Sequence, residues 1–201
     1  MRNVWRQRLP YYAYSGITRL RDTIKGGTTR RQRRDMGLIS EREVRLLFRV
    51  TNFFNPRHIL QAGAATGIES VTMMEVSRES RLYLYDPCLE QNALAVRVLQ
   101  SQLDRMECYD SAPVAVNDFL AAGQGSAMAL INVPIDVELL HRLLHEGIVV
   151  VMRCLNRDQA MSALFEACRD YMPTGQTYTN NKIAILNPNP KLQREDFLLW
   201  L

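Results

Sequence analysis

From Arg57 onward, short apolar runs alternate with amphipathic stretches, and this rhythm leaves few folds open to the chain. HILQA (58–62) reads as a buried strand, followed by a helix carrying Ile68, Val71, Thr72 and Val76. RLYLYDP (81–87) is a second strand, and 89–103 a helix that turns Leu94, Val98 and Val96 inward. APVAV (112–116) supplies the third strand, MALIN (128–132) the fourth and GIVVVM (147–152) the fifth. Helices over 137–145 and 159–171 complete the series. The unbroken apolar run of GIVVVM is the mark of a strand covered on both faces. Alternating strands and helices build a mostly parallel sheet with helices on both sides. QTYTNNKIAIL (176–186) ends the series differently. It reads as two strands about Asn180-Asn181, because Asn tolerates the positive φ of a type I′ hairpin turn.

The N-terminal quarter has another character. Tyr14, Ile17, Leu20 and Ile24 recur at helical spacing over 11–25, and Gly26-Gly27 ends that helix. TTRRQRRDMG (28–37) reads as a basic mobile loop. Ser40 then opens a helix as N-cap, with Glu43 completing a capping box. Val44, Leu47, Phe48 and Thr51 share its inner face, and it ends near Asn55-Pro56. Residues 1–57 hold 14 Lys+Arg against 4 Asp+Glu, whereas residues 58–201 hold 11 against 17. The basic excess belongs to the first segment alone and marks it as functionally distinct. The expected division is a helical lid or extension over 1–56 and an α/β domain over 57–201.

Composition narrows the setting. With 47% apolar and 23% charged residues, a chain of 201 residues buries a core without disulfides. The apolar run at 148–152 is far short of the roughly 20 residues that cross a bilayer, so no membrane association is expected. The N-terminus lacks the apolar stretch of a secretory signal. Cys88, Cys108, Cys154 and Cys168 form no CxxC pair and read as small buried residues in a reducing compartment. A cytoplasmic location follows.

The turn between the first strand and its helix, in HILQAGAATGIES, carries the chemistry. Gly63 allows a sharp turn, and Gly67 opens the helix, whose free N–H groups attract an anionic group. A dinucleotide fingerprint started at Gly63 needs glycines at 65 and 68. The chain has Ala65 and Ile68, and Glu69 would repel a pyrophosphate. No Lys-Ser/Thr follows Gly67, which excludes a P-loop. The shorter spacing Gly63, Ala65, Gly67 suits S-adenosylmethionine, whose amino-acid end carries no phosphate. Asp86 closes the second strand and is placed to accept two ribose hydroxyls. Asp118, after the supposed third strand, is placed near an adenine, with Phe119 to pack on the ring.

These features together resemble the class I S-adenosylmethionine-dependent methyltransferases, and within them a bacterial group of small O-methyltransferase-like proteins. LPYYAYSGITRLRDTI, RRDMG, LLFRVTNFFNPRHILQAGAATGIES, LYLYDP, VNDFL and KIAILNPNPKLQREDFLLWL carry the likeness in order along nearly the whole chain. The resemblance implies a Rossmann-like α/β sandwich with a seven-stranded sheet of order 3-2-1-4-5-7-6, strand seven antiparallel, and an N-terminal helical lid. It implies S-adenosylmethionine as cofactor, a small-molecule methyl acceptor, and contacts from Gln61, Gly63, Ala65, Gly67, Asp86, Asp118, Phe119 and Asn132. Three positions depart from the family. Gln61 replaces an acid at the end of strand one, Asn132 replaces an aspartate after strand four, and Met152-Arg153-Cys154 offers no acid after strand five. No metal is expected on that basis, and no catalytic base is named.

Other readings stay open at this level. Gln61, Ala65 and Asn132 suit a catalytically degenerate relative that keeps the fold as a ligand-binding or interaction protein. Arg30, Arg31, Arg33 and Arg34, within the basic segment 19–34, offer phosphate contacts for nucleic acid, against the rival reading of a lid. His141 and His145 stand four apart on a helix, without the Glu of H-E-x-x-H. DFLLWL is apolar enough to cap a sheet edge or to form a homodimer contact, burial as an edge strand being the simpler reading.

Overall fold

The computed structural model describes residues 11–123 and 126–199. Residues 1–10, which bear on the secretory reading, and residues 200 and 201 of the DFLLWL ending lie outside the described residues.

Eight strands form one sheet: β1 (His58–Ala62), β2 (Arg81–Tyr85), β3 (Met106–Tyr109), β4 (Ala127–Ile131), β5 (Val149–Arg153), β6 (Gln176–Thr179), β7 (Ile183–Asn187) and β8 (Glu195–Leu198). Their order is 3-2-1-4-5-7-6-8. The first five are parallel, β7 runs antiparallel to β5 and β6, and β8 pairs parallel with β6. The expected order is present, and β8 adds an eighth strand at the β6 edge.

Alternation along the strands feeds two apolar layers. Ile59, Leu82, Leu84, Met128, Leu130, Val149 and Val151 face one side. There they meet α1 (Tyr11–Gly26), α3 (Glu41–Phe54), α4 (Ile68–Met74) and α5 (Ala93–Leu99), through Ile17, Phe48, Ile68 and Val98 among others. Leu60, Tyr83, Ala129, Ile131, Val150 and Met152 face the other side. They meet α6 (Ala112–Ala122), α7 (Val137–His145) and α8 (Gln159–Tyr171) through Phe119, Leu140 and Phe165. α1 and α3 thus share one apolar layer with the sheet.

The expected capping box of α3 is present. Ser40 Oγ accepts from Glu43 N at 3.2 Å, and the Glu43 carboxylate accepts from Ser40 N at 3.0 Å. Asn55 closes the helix in the left-handed region. Among the described residues no helix is long and apolar enough to cross a membrane.

Several expectations are corrected. APVAV is the first part of α6, not a strand, and Pro113 in its first turn suits a helix start. The third strand is MECY, a half-exposed edge strand with little apolar signature. The helix expected over 89–103 divides into a 3₁₀ turn (Leu89–Gln91), α5, and a second 3₁₀ segment (Gln100–Arg105), and Val96 faces solvent. Residues 28–37 are not wholly loop. Thr29 and Gln32 form a capping box that starts α2 (Arg30–Asp35). The β6–β7 connection has three residues with positive φ only at Asn181, so it is not a type I′ turn. All four cysteines are free, yet only Cys168 is buried, while Cys88 and Cys108 are exposed.

Candidate functional site

Sheet register builds the site. Ala62 stands opposite Tyr85 on one side and Ile131 on the other, Tyr85 opposite Tyr109, and Ile131 opposite Met152. The next residues therefore form one transverse row at the carboxyl edge of the sheet: Asp110, Asp86, Gly63, Asn132 and Arg153. Backbone bonds carry the ladder into this row, from Gly63 N to Tyr85 O and from Asn132 N to Ala62 O, both at 2.8 Å. Strand order reverses between β1 and β4, the position where open α/β sheets leave a crevice for ligands.

The glycine turn fills the centre of the row. Gly63, Ala65 and Gly67 have φ of 83°, 48° and 78°. The glycines are needed for packing as well as for conformation. A Cβ on Gly63 would meet Val133 Cγ1 at 2.7 Å, and one on Gly67 would meet Val98 Cγ1 at 3.0 Å. Asp86 Oδ2 accepts from Ala64 N and Oδ1 from Cys88 N, each at 2.9 Å. Asn92 Nδ2 donates to Ala65 O at 2.7 Å. The N–H groups of Ala65 and Thr66 donate no hydrogen bond among the described residues.

Gln61 and Asn132 brace this turn from below. Both donate to the Gly63 carbonyl, at 2.9 and 2.8 Å, and Gln61 Oε1 accepts from Ser70 Oγ at 2.7 Å. Both side chains are buried. At these two of the three departures, the amide therefore supplies a donor that a carboxylate lacks.

An ionic cluster forms at the β5 end of the row. Arg153 pairs with Glu69, hydrogen-bonds Asn132 Oδ1 at 3.2 Å, and lies 3.8 Å from Glu43. Glu69 is fully buried, and burial pushes its pKa up against the opposing pull of Arg153. Burial also raises Glu43, but Arg153 and the Ser40 hydrogen bonds outweigh it and hold that carboxyl low. Two carboxylates together keep the buried guanidinium charged, overcoming its desolvation. Glu69 thus does not stand bare at the turn, as expected, but is neutralised from within.

The structure brings together Gln61, Gly63, Ala65, Gly67, Asp86 and Asn132. It does not bring Asp118 and Phe119 to them. With the third strand ending at Tyr109, both lie within α6. Phe119 is fully buried, 5.8 Å from the Tyr83 ring, and Asp118 is exposed. Asp110 and Ser111 occupy the place after β3 instead. Sequence reasoning also missed Asn92 and the pairing of Arg153 with Glu69. Arg153 left a trace, as a charge directly after an all-apolar run.

The N-terminal segment reaches this edge. A Cβ on Gly37, which follows α2, would lie 4.0 Å from Ala65 Cβ. On the other face of the sheet, His141 of α7 stacks on Tyr171 of α8 with ring centroids 3.9 Å apart. No group of three His, Cys, Asp or Glu among the described residues is placed to hold a metal ion.

No protein-family model and no curated protein matches the sequence. Solved structures do. The O-methyltransferase from Bacillus cereus, in complex with SAH, aligns at a TM-score of 0.58 with 11% identity, over 88% of this chain and 90% of that one. The O-methyltransferase TomG from Streptomyces achromogenes, involved in tomaymycin synthesis and solved with SAM, aligns at 0.56 with 13% identity, over 88% and 90%. A methyltransferase from Geobacter sulfurreducens aligns at 0.57 with 18% identity, over 85% and 95%. At these identities the likeness shows the fold: a Rossmann-like sandwich of the class I O-methyltransferase type.

Proposed function

We propose that this chain binds S-adenosylmethionine at the carboxyl edge of β1, β2 and β4 and transfers its methyl group to a small-molecule acceptor. The observation that carries the reading is Asp86, fixed beside the glycine turn by two backbone N–H groups. A carboxylate has about four acceptor sites, so two bonds leave capacity for ribose hydroxyls. The unspent N–H groups of Ala65 and Thr66 suit the donor's carboxylate. Asp110 and Ser111, rather than Asp118 and Phe119, border the adenine in this reading. Gln61 and Asn132 act through the Gly63 carbonyl as positioning residues. The crystallised neighbours that hold SAM or SAH on the same fold support this reading.

When bound, the sulfonium supplies an electrophilic methyl group. The chain's part is to hold donor and acceptor in line and to keep water out, a proximity effect that can supply most of the rate. In this reading the acceptor enters at the β5 end of the row, where Glu43 of α3 lies 3.8 Å from Arg153.

Calorimetric titration with S-adenosylhomocysteine tests the reading. Binding is expected, and Asp86→Ala should weaken it by about 1–3 kcal/mol through unpaired hydroxyls. No heat and no thermal shift at millimolar ligand would reject the assignment. Equal affinity in the variant would show that the ribose lies elsewhere.

A further inference from the structure

A dense cluster of positive charge lies beside this site, and the methyltransferase reading does not use it. A cleft of about 980 Å³ opens between α1–α2 and the loop after β5. Seven cationic side chains line it against one carboxylate, Asp35. The cations come from two separate parts of the chain, since Arg157 leaves β5's loop to face the α1–α2 segment. A smaller cleft of about 240 Å³ shares Ser40, Asn156 and Arg157 with the first and extends to Arg153 at the end of β5. The basic cleft therefore leads to the row that carries Gly63 and Asn132.

Part of the cluster is preset. Arg21 Nε donates to Ile39 O at 2.8 Å, and Arg33 Nη1 donates to Lys25 O and Thr28 O at 2.8 and 3.0 Å. These bonds fold the basic segment against α1. By contrast, Lys25, Arg30, Arg34 and Arg157 make no side-chain hydrogen bond or ion pair among the described residues. The arrangement breaks local rules. Arg30 and Arg34 stand at i and i+4, where like charges repel. Arg30 and Arg31 also occupy the first turn of α2, which has no acid to offset the helix dipole. Asp35, 3.8 Å from Arg31, is the one acid that offsets this charge within α2, and the excess that remains points to a function met by something outside the chain.

We infer that this cleft binds a phosphate-bearing group of the methyl acceptor, a compact polyanion such as a diphosphate, which rests on the methyltransferase reading above. Guanidinium groups pair with phosphate through two parallel hydrogen bonds. The cleft has the volume of a small-molecule site. Its lining includes no aromatic side chain, so it lacks the stacking platform of single-stranded nucleic acid sites. A small anion is the better occupant.

The test titrates inorganic pyrophosphate into the full chain by calorimetry, alone and with saturating S-adenosylhomocysteine. The variants are Arg30→Gln with Arg34→Gln, Arg157→Gln, and Arg97→Gln on the exposed face of α5 as control. Pyrophosphate should bind, and each cleft variant should weaken it about tenfold or more, as loss of a charge-assisted hydrogen bond implies. The control and bound S-adenosylhomocysteine should leave it unchanged. No pyrophosphate binding, or equal binding in the cleft variants, overturns the inference even where S-adenosylhomocysteine binds. Competition between the two ligands overturns the assignment to the acceptor. Pyrophosphate binding without S-adenosylhomocysteine binding rejects the methyltransferase reading and with it the acceptor role. Tighter binding of a labelled single-stranded RNA, lost in the same variants, overturns the inference in favour of nucleic acid.

Discussion

Arg153 sits where β5 leaves the sheet and answers to two carboxylates whose titrations oppose each other. Glu69 has a folded pKa above its ordinary 4.5. Its contribution is complete below that value and is lost as pH rises through the folded one. Glu43 is held below 4.5, so its contribution is present above that value and is lost as pH falls through the folded one. Glu69→Gln should therefore gain stability relative to the parent as pH rises above about 4.5. Urea unfolding at several pH values checks this, and a pH-independent difference would contradict the buried, raised carboxyl. Arg153→Met should cost about 3–5 kcal/mol by leaving Glu69 unpaired. Gly63→Ala forces a Cβ against Val133 at positive φ. A loss of about 1–3 kcal/mol is expected, partly restored when Val133→Ala is added. A neutral single variant would mean that the turn relaxes. At this scale the sequence was partly legible. Gly63, Gly67 and Asp86 announce themselves by spacing. Gln61 and Asn132 read as failed ligand contacts because their target, the Gly63 carbonyl, is a backbone atom that no motif records.

Elements were misread where local signals compete with tertiary ones. APVAV is a short apolar run with two valines that suits a strand, yet Pro113 lacks the N–H that an interior strand position needs and fits a helical first turn. MECY became β3 although its pattern is weak, because an edge strand half in water needs no apolar run. The Thr29-x-x-Gln32 box was present in the sequence and hidden by the arginines around it. Thr29→Ala should remove about 1 kcal/mol from α2 alone. Faster amide exchange over residues 30–36, with an unchanged global melting temperature, would show it. A lowered melting temperature would mean that α2 unfolds with the rest.

At the scale of the molecule, α1 and α3 put Ile17, Ile24, Val44 and Phe48 into the same apolar layer as β1, β2 and β4. Fluorescence and circular dichroism should therefore report one coincident denaturant transition, and two separate transitions would argue for an independent N-terminal unit. The mostly parallel sheet was legible because alternation of strands and helices constrains topology strongly, whereas its strand order came with the resemblance to the class I methyltransferases. The strand at the β6 edge was less legible, since EDFL is exposed along its length and is held through its backbone, the Tyr178–Phe197 stack and hydrogen bonds from Gln176 to Glu195 and from Thr177 to Asp196.

The transverse row has a consequence for how such a chain can change over evolutionary time. Its members are brought side by side by counting residues along separate strands, not by any motif that spans them. Substitution at one position leaves the others aligned. Insertion or deletion of one residue within β1, β2, β4 or β5 moves one member out of line and inverts the faces of that strand. Length variation should therefore be tolerated in the loops on the opposite edge and in the helices rather than within these strands.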